Sequence, residues 1–141
     1  MLKTIGVRDI DKANEIVLRT IEIMEFLNPK YYVIENPQTG KLKDQWMMHG
    51  FPYVDVDYCK YGMPYRKRTR LWNNVFEFKP RPLCKKDCSS MVGKKHIATV
   101  QRGSRKTIYQ YNTLSQLHSI PPELIHDMFS YMVCPGRRNA R

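Results

Sequence analysis

The chain has 141 residues, a formal charge of +11 and four cysteines, a size that supplies a single core, makes one compact unit the default and is short for an enzyme that must hold two ligands. Four cysteines beside eight methionines exclude a disulfide-dense secreted scaffold and fit reduced thiols. No apolar run approaches the roughly 20 residues of a membrane span, and the opening MLKTIGVRDI lacks a signal peptide's apolar segment, so an intracellular location is expected, cytoplasmic or nucleoid-associated.

From Asp9 to Leu27 the apolar residues Ile10, Ala13, Ile16, Val17, Ile21, Met24 and Leu27 recur every three or four positions, which predicts an amphipathic helix with Asp9 or Asp11 as its N-cap. Asn28-Pro29 ends it, because the residue before proline is pushed out of helical geometry. The branched and aromatic run YYVIE (31–35) then reads as a strand, so the opening is an α/β unit. KLKDQWMM (41–48) predicts a short helix with Leu42 and Trp46 on one face. YVDVDY (53–58) alternates strictly, with Tyr53, Asp55 and Asp57 on a wet face and Val54, Val56 and Tyr58 on a buried one. A turn at Tyr61 to Pro64 leads through YRKRTR (65–70) into LWNNVFEF (71–78), a further expected strand. The Pro-, Lys-, Ser- and Gly-rich stretch 79–113 has no long period and predicts an irregular excursion. Pro121 and Pro122 suit the first turn of a last helix, with Leu124, Ile125, Met128, Phe129 and Met132 as its apolar face, and the tail CPGRRNAR (134–141) is expected to fray.

The charge is unevenly placed. Lys60 to Lys106 holds 14 of the 24 Lys and Arg residues but only Glu77 and Asp87 as acids, so the whole excess lies in one third of the chain. Basic residues interleaved with Tyr61, Tyr65, Trp72, Phe76 and Phe78 are what a phosphate-backbone partner requires, and the charge alone leaves open a nucleic acid, a solvated basic face or a ribosome-like tail.

The strand run ends on Glu35-Asn36-Pro37, RTRLW (68–72) follows, and SIPPELI (119–125) opens the last helix. In this order the motifs resemble the C-terminal half of DNA cytosine-5 methyltransferases, in particular their compact phage, viral and microbial forms. The resemblance covers nearly the whole chain. It implies an α/β fold, the C-terminal half of a Rossmann-like S-adenosylmethionine-dependent methyltransferase with a short, basic, irregular target-recognition insertion. Residues 1–141 would form a single partial domain, with a half-sheet and helices over 1–78, a DNA-reading excursion over 79–113 and a returning helix over 114–134. If the protein is viral, the expected compartment is that of the host cell.

By the same resemblance Glu35 is the carboxyl that meets N3 and the exocyclic amine of a flipped cytosine. Arg68 and Arg70, two apart on a strand and so on one side of it, would hold the extruded base and its phosphate. Asn36 and Pro37 would shape the substrate loop, and Arg66 is a further substrate-binding candidate because the glutamine that precedes the family's arginines is Tyr65 or Arg66 here. Ile120 and Pro121 would border the S-adenosylmethionine pocket. The nucleophilic cysteine of a Pro-Cys-Gln loop and a glycine-rich cofactor turn do not occur in this sequence. The expected role is therefore a fragment or split subunit, inactive alone, which needs a protein partner carrying the cysteine and the cofactor site. The alternatives are a noncatalytic DNA-binding or structural derivative and a small zinc-stabilised nucleic-acid module. The second draws on Cys84, Cys88 and His96, spaced C-x3-C-x7-H, with Cys59 or His118 as a fourth ligand. That spacing is not a standard finger's, and reduced, unliganded thiols are the reading taken from sequence.

Overall fold

In the computed structural model, which describes residues 9–100, 109–110, 115 and 118–133, the first helix, α1, runs Ile10–Leu27. Asp9 is the N-cap, its carboxylate accepting from the Lys12 amide at 3.0 Å. Asn28 ends the helix in the left-handed region at φ 42°, its N–H donating to the Met24 carbonyl; asparagine tolerates this conformation better than most residues. The periodic apolar row therefore becomes the helix the sequence predicts, yet none of its residues is fully buried. Val17, Leu18 and Ile21 pack against Met47, Met48 and Trp72, while Ile16, Phe26 and Leu27 stay exposed, Phe26 at 88 %.

Three strands form the main sheet: β1 (Val33–Pro37), β2 (Tyr53–Asp57) and β3 (Arg68–Asn73), in the order β1-β3-β2. β3 is antiparallel to both neighbours, so β1 and β2 run parallel to each other on either side of it. Glu35 lies opposite Leu71 and Asn36 opposite Arg70, while Asp55 lies opposite Arg70 and Asp57 opposite Arg68. Because side chains alternate along a strand, Glu35, Leu71, Thr69, Val54 and Val56 share one face. Asn36, Arg68, Arg70, Trp72, Asp55 and Asp57 share the other.

Each face has its own cover. The last helix, here α2 (Pro122–Val133), lays Leu124 and Met128 on the cluster of Val56, Tyr58, Tyr61, Tyr65 and Leu71. On the opposite face α1 and the 3-10 turns cover Trp72 and Ile34. A sheet between helices gives the α/β character expected from sequence.

Several local expectations change. KLKDQWMM is two 3-10 turns, Lys41–Asp44 and Trp46–Met48, separated by extended Gln45, so Leu42 reaches the core while Trp46 is 70 % exposed. The third strand begins three residues before LWNNVFEF and stops at Asn73. The Asn73 side-chain oxygen accepts from the Val75 amide, and Asn74 binds the Tyr32 amide and the Lys30 carbonyl, so both asparagines close a turn where the strand would have continued. The acidic side of β2 is not wet: Asp57 is buried.

The basic excursion is mostly irregular where described. Its hairpin joins β4 (Met91–Val92) to β5 (Lys95–His96) through Gly93 at φ 59°. β6 (Ala98–Thr99) then pairs in parallel with β7 (Tyr109–Gln110). Residues 101–108 and 111–113 of the excursion and the tail from Cys134 onward lie outside the described residues.

Candidate functional site

Glu35 occupies the edge strand β1, whose outer side carries no partner strand among the described residues. Its carboxylate accepts from the Tyr58 hydroxyl at 3.0 Å and lies 3.5 Å from the Lys67 ammonium, which also sits over the Tyr58 ring at 5.0 Å. These two partners hold the side chain in one orientation while 28 % of it stays accessible. Burial first, and then the Glu35 charge, push the Tyr58 phenol above its ordinary value of 10.0, so the phenol remains a donor to the carboxylate at neutral pH.

Beside Glu35 lies an apolar cavity of about 200 Å³ lined by Val33, Leu71, Ile120, Leu124, Ile125, Met128 and Phe129. Glu35 is its single charged wall. Ile120 thus comes together with Glu35, and the neighbouring Pro121 is fully buried with its carbonyl accepting from the Leu124 and Ile125 amides at the start of α2.

Arg68 and Arg70 share one side of β3, as two-residue spacing requires, but it is the face opposite Glu35. Each guanidinium is engaged two-pronged. Arg68 donates to both Asp57 oxygens at 3.0 and 2.8 Å, and Arg70 to both Asp55 oxygens at 2.8 and 3.0 Å. Arg70 also stacks on Tyr53, 3.7 Å from the ring centroid. Parallel N–H bonds to a carboxylate are the strongest use of this fork. Asn36 is also parted from Glu35, on the other face, whereas Pro37, opposite Thr69, keeps the Glu35 phase at the end of the strand. They border a separate cavity of about 580 Å³ with Asp9, Asn14, Thr39 and Gln45 among its walls. There the tight turn after β1, closed by the Gly40 amide on the Pro37 carbonyl at 2.7 Å, brings Gly40 against the Asn36 side chain so closely that a Cβ would collide.

Arg66 is exposed, and its charge, after burial, helps to lower the His96 pKa. His96 belongs to a second group of functional side chains. The ligand atoms of Cys59, Cys84, Cys88 and His96 all lie within 4.8 Å of one another, whereas His118 is exposed and outside the group. The Cys59 thiol is pushed up by burial and by the neighbouring thiols. Cys84 is held below its ordinary value although burial opposes this, because the Lys86 amide and the other thiols donate to it.

Sequence reasoning missed Tyr58 and Lys67 as the partners of Glu35. The signal for Tyr58 was available, since it alternates in phase with Val54 and Val56. Lys67 had none, because its position depends on the pairing of β1 with β3.

A curated protein of Frog virus 3 (isolate Goorha), described as a probable DNA (cytosine-5)-methyltransferase, is 31 % identical over 125 residues, which are 83 % of this chain and 56 % of that protein. The chain spans about half the length of this curated relative. No protein-family model and no solved structure matches this chain. Among the described residues no helix is long and apolar enough to cross a membrane.

Proposed function

Because the chain is related to the DNA (cytosine-5)-methyltransferases, we propose that it contributes the cytosine-activating part of such an enzyme, with Glu35 as the residue that meets the flipped base. Cytosine accepts a nucleophile at C6 only when charge developing at N3 is neutralised. A carboxyl on a rigid strand, aimed by two fixed partners, can accept from the exocyclic amine as the carboxylate and, once it carries a proton, donate to N3. The observation that carries this reading is the orientation of Glu35 by Tyr58 and Lys67 beside an otherwise apolar cavity. β1 and β2, parallel about a reversed β3, are also what one end of a larger Rossmann-like sheet would contain, with further strands added at the free edge of β1.

S-adenosylmethionine is the methyl donor that this family implies. Ile120 offers one apolar wall beside Glu35, but a cavity of about 200 Å³ is smaller than the roughly 300–1,000 Å³ of ordinary small-molecule sites. This chain therefore holds at most part of that pocket. The attacking cysteine, the cofactor turn and the remaining walls come from another segment or chain, which makes a protein partner and DNA the expected company. Arg68 and Arg70 enter as positioning residues that lock β2 to β3, since each commits its Nε–H and one terminal N–H to Asp57 or Asp55, and only the remaining N–H groups are left to meet a phosphate. The basic stretch 79–106, with Arg66, would lie along the DNA.

The test combines the chain with a segment that carries the Pro-Cys-Gln loop, together with DNA and labelled S-adenosylmethionine. Methyl transfer is expected from the complete pair, and Glu35→Gln should lower it by at least about a hundredfold, the scale of a lost acid or oxyanion-type partner. Transfer that survives this substitution would remove Glu35 from the chemistry. A complete pair that binds DNA without transferring methyl groups would favour the noncatalytic alternative.

A further inference from the structure

Cys59, Cys84, Cys88 and His96 come from three separate pieces of chain, and we propose that they bind a structural zinc ion that pins the basic excursion to the end of the main sheet. Cys59 sits in the 3-10 turn Tyr58–Tyr61 directly after β2, Cys84 and Cys88 in the irregular loop, and His96 on β5. The inference is independent of the methyltransferase reading.

The distances suit a tetrahedron. Zinc–sulfur bonds of about 2.3 Å and zinc–nitrogen bonds of about 2.0–2.1 Å place sulfurs roughly 3.8 Å apart and sulfur from nitrogen roughly 3.5 Å apart. The Cys84 Sγ to His96 Nε2 separation is 3.5 Å, and all four ligand atoms fall within 4.8 Å, so small side-chain movements close the rest. Three sulfurs and one imidazole are a donor set that selects zinc over oxygen-seeking cations, and four protein ligands leave no open position for chemistry.

The surroundings support the ligands. The Lys86 amide donates to Cys84 Sγ at 3.3 Å, with Lys86 in the left-handed region at φ 67°, a conformation unfavourable for a non-glycine residue. The Cys84 amide donates to Asp57 Oδ2 at 2.9 Å, the same oxygen that Arg68 holds. The hairpin between β4 and β5 sets His96 opposite Met91, and Ser90 anchors its base through a 2.8 Å bond to the Met63 carbonyl. Three thiolates around a divalent ion carry one net negative charge, which suits a site among Lys60, Arg66, Lys85 and Lys86. The segment also needs such a tie, because between residues 79 and 100 only Cys84, Ser90 and Ala98 are buried, too small a core to order it by packing alone.

The experiment measures zinc by atomic emission on the full chain, purified with reduced thiols and without chelator, and repeats the measurement after cobalt exchange. One zinc per chain is expected, with the charge-transfer and ligand-field bands of a tetrahedral, sulfur-rich cobalt site. Cys88→Ser and His96→Ala should each lose most of the metal, whereas Cys134→Ser and His118→Ala should keep it. If the first two variants do not fold, the wild-type chain decides: stripping its metal should lower Tm, and zinc but not magnesium should restore it. Zinc far below one per chain with no cobalt spectrum, an unchanged Tm on stripping, or a mass showing a disulfide among these cysteines would each overturn the proposal.

Discussion

Arg68 and Asp57 form a pair whose two members are unequally exposed, the arginine side chain at 36 % and the aspartate at 0 %. Removing Arg68 leaves a buried carboxylate with the Cys84 amide as its remaining bond, whereas removing the acid leaves a guanidinium that can turn to water. Arg68→Ala should therefore cost about 3 kcal/mol, the low end for stranding a buried charge, and Asp57→Asn about 1 kcal/mol, since its amide oxygen still accepts. Urea denaturation of the two variants measures the difference. A larger loss from Asp57→Asn than from Arg68→Ala would contradict this account. The pair of Arg70 and Asp55 keeps 13 % and 21 % of its side chains accessible, so Asp55 is not stranded dry when Arg70 is removed and Arg70→Ala should cost less than Arg68→Ala.

At the level of elements, α2 is fastened to the rest of the chain by Arg81. This guanidinium donates to Glu123 at 2.6 Å and to Asp127 at 3.1 Å on the helix, and to the Lys60 carbonyl at 2.8 Å in the turn after β2. It also lies over the Tyr61 ring, 4.7 Å from its centroid. Arg81→Met should cost about 1–2 kcal/mol, discounted because the side chain is more than one third exposed. It should also speed amide exchange in α2 more than in β3, and Arg81→Lys should rescue only part of this, since an ammonium cannot bridge three acceptors in one plane. Uniform exchange across both elements would show that α2 is held by its apolar face alone. That apolar face was legible in the sequence, as were α1, β1 and β2, because local periodicity and the Asn28-Pro29 break determine them. The limits of β3 were not, because Asn73 and Asn74 stop it through side-chain bonds to partners such as Lys30 that are distant in the chain. Glu35 was legible as the residue to explain, and the spacing of Cys84, Cys88 and His96 as one that the structure brings together. The separation of Glu35 from Arg68 and Arg70 onto opposite faces depends on which strands pair, and so does the selection of Cys59 over His118, so neither is written in any local pattern.

Across the whole molecule, large apolar side chains remain exposed on α1, β1 and α2. Ile16, Phe26 and Leu27 of α1, Val33 of β1, and Ile125 and Phe129 of α2 are all exposed, and among the described residues no strand pairs with the outer edge of β1. Such a surface invites pairing with another chain. Alone, the chain should self-associate at micromolar concentration in sedimentation velocity. With the complementary methyltransferase segment it should run as a one-to-one complex, and a stable monomer without that segment would argue against a missing neighbour at β1. The pairing of β1 with β3 has a consequence for such an assembly. Five successive residues, Val33 to Pro37, are already matched to β3, and a one-residue slip is what would turn a side chain to the opposite face. A newcomer docking out of step along the open edge would thus misplace its own groups but leave the Glu35 carboxylate aimed as before, so errors of assembly would be confined to the incoming side.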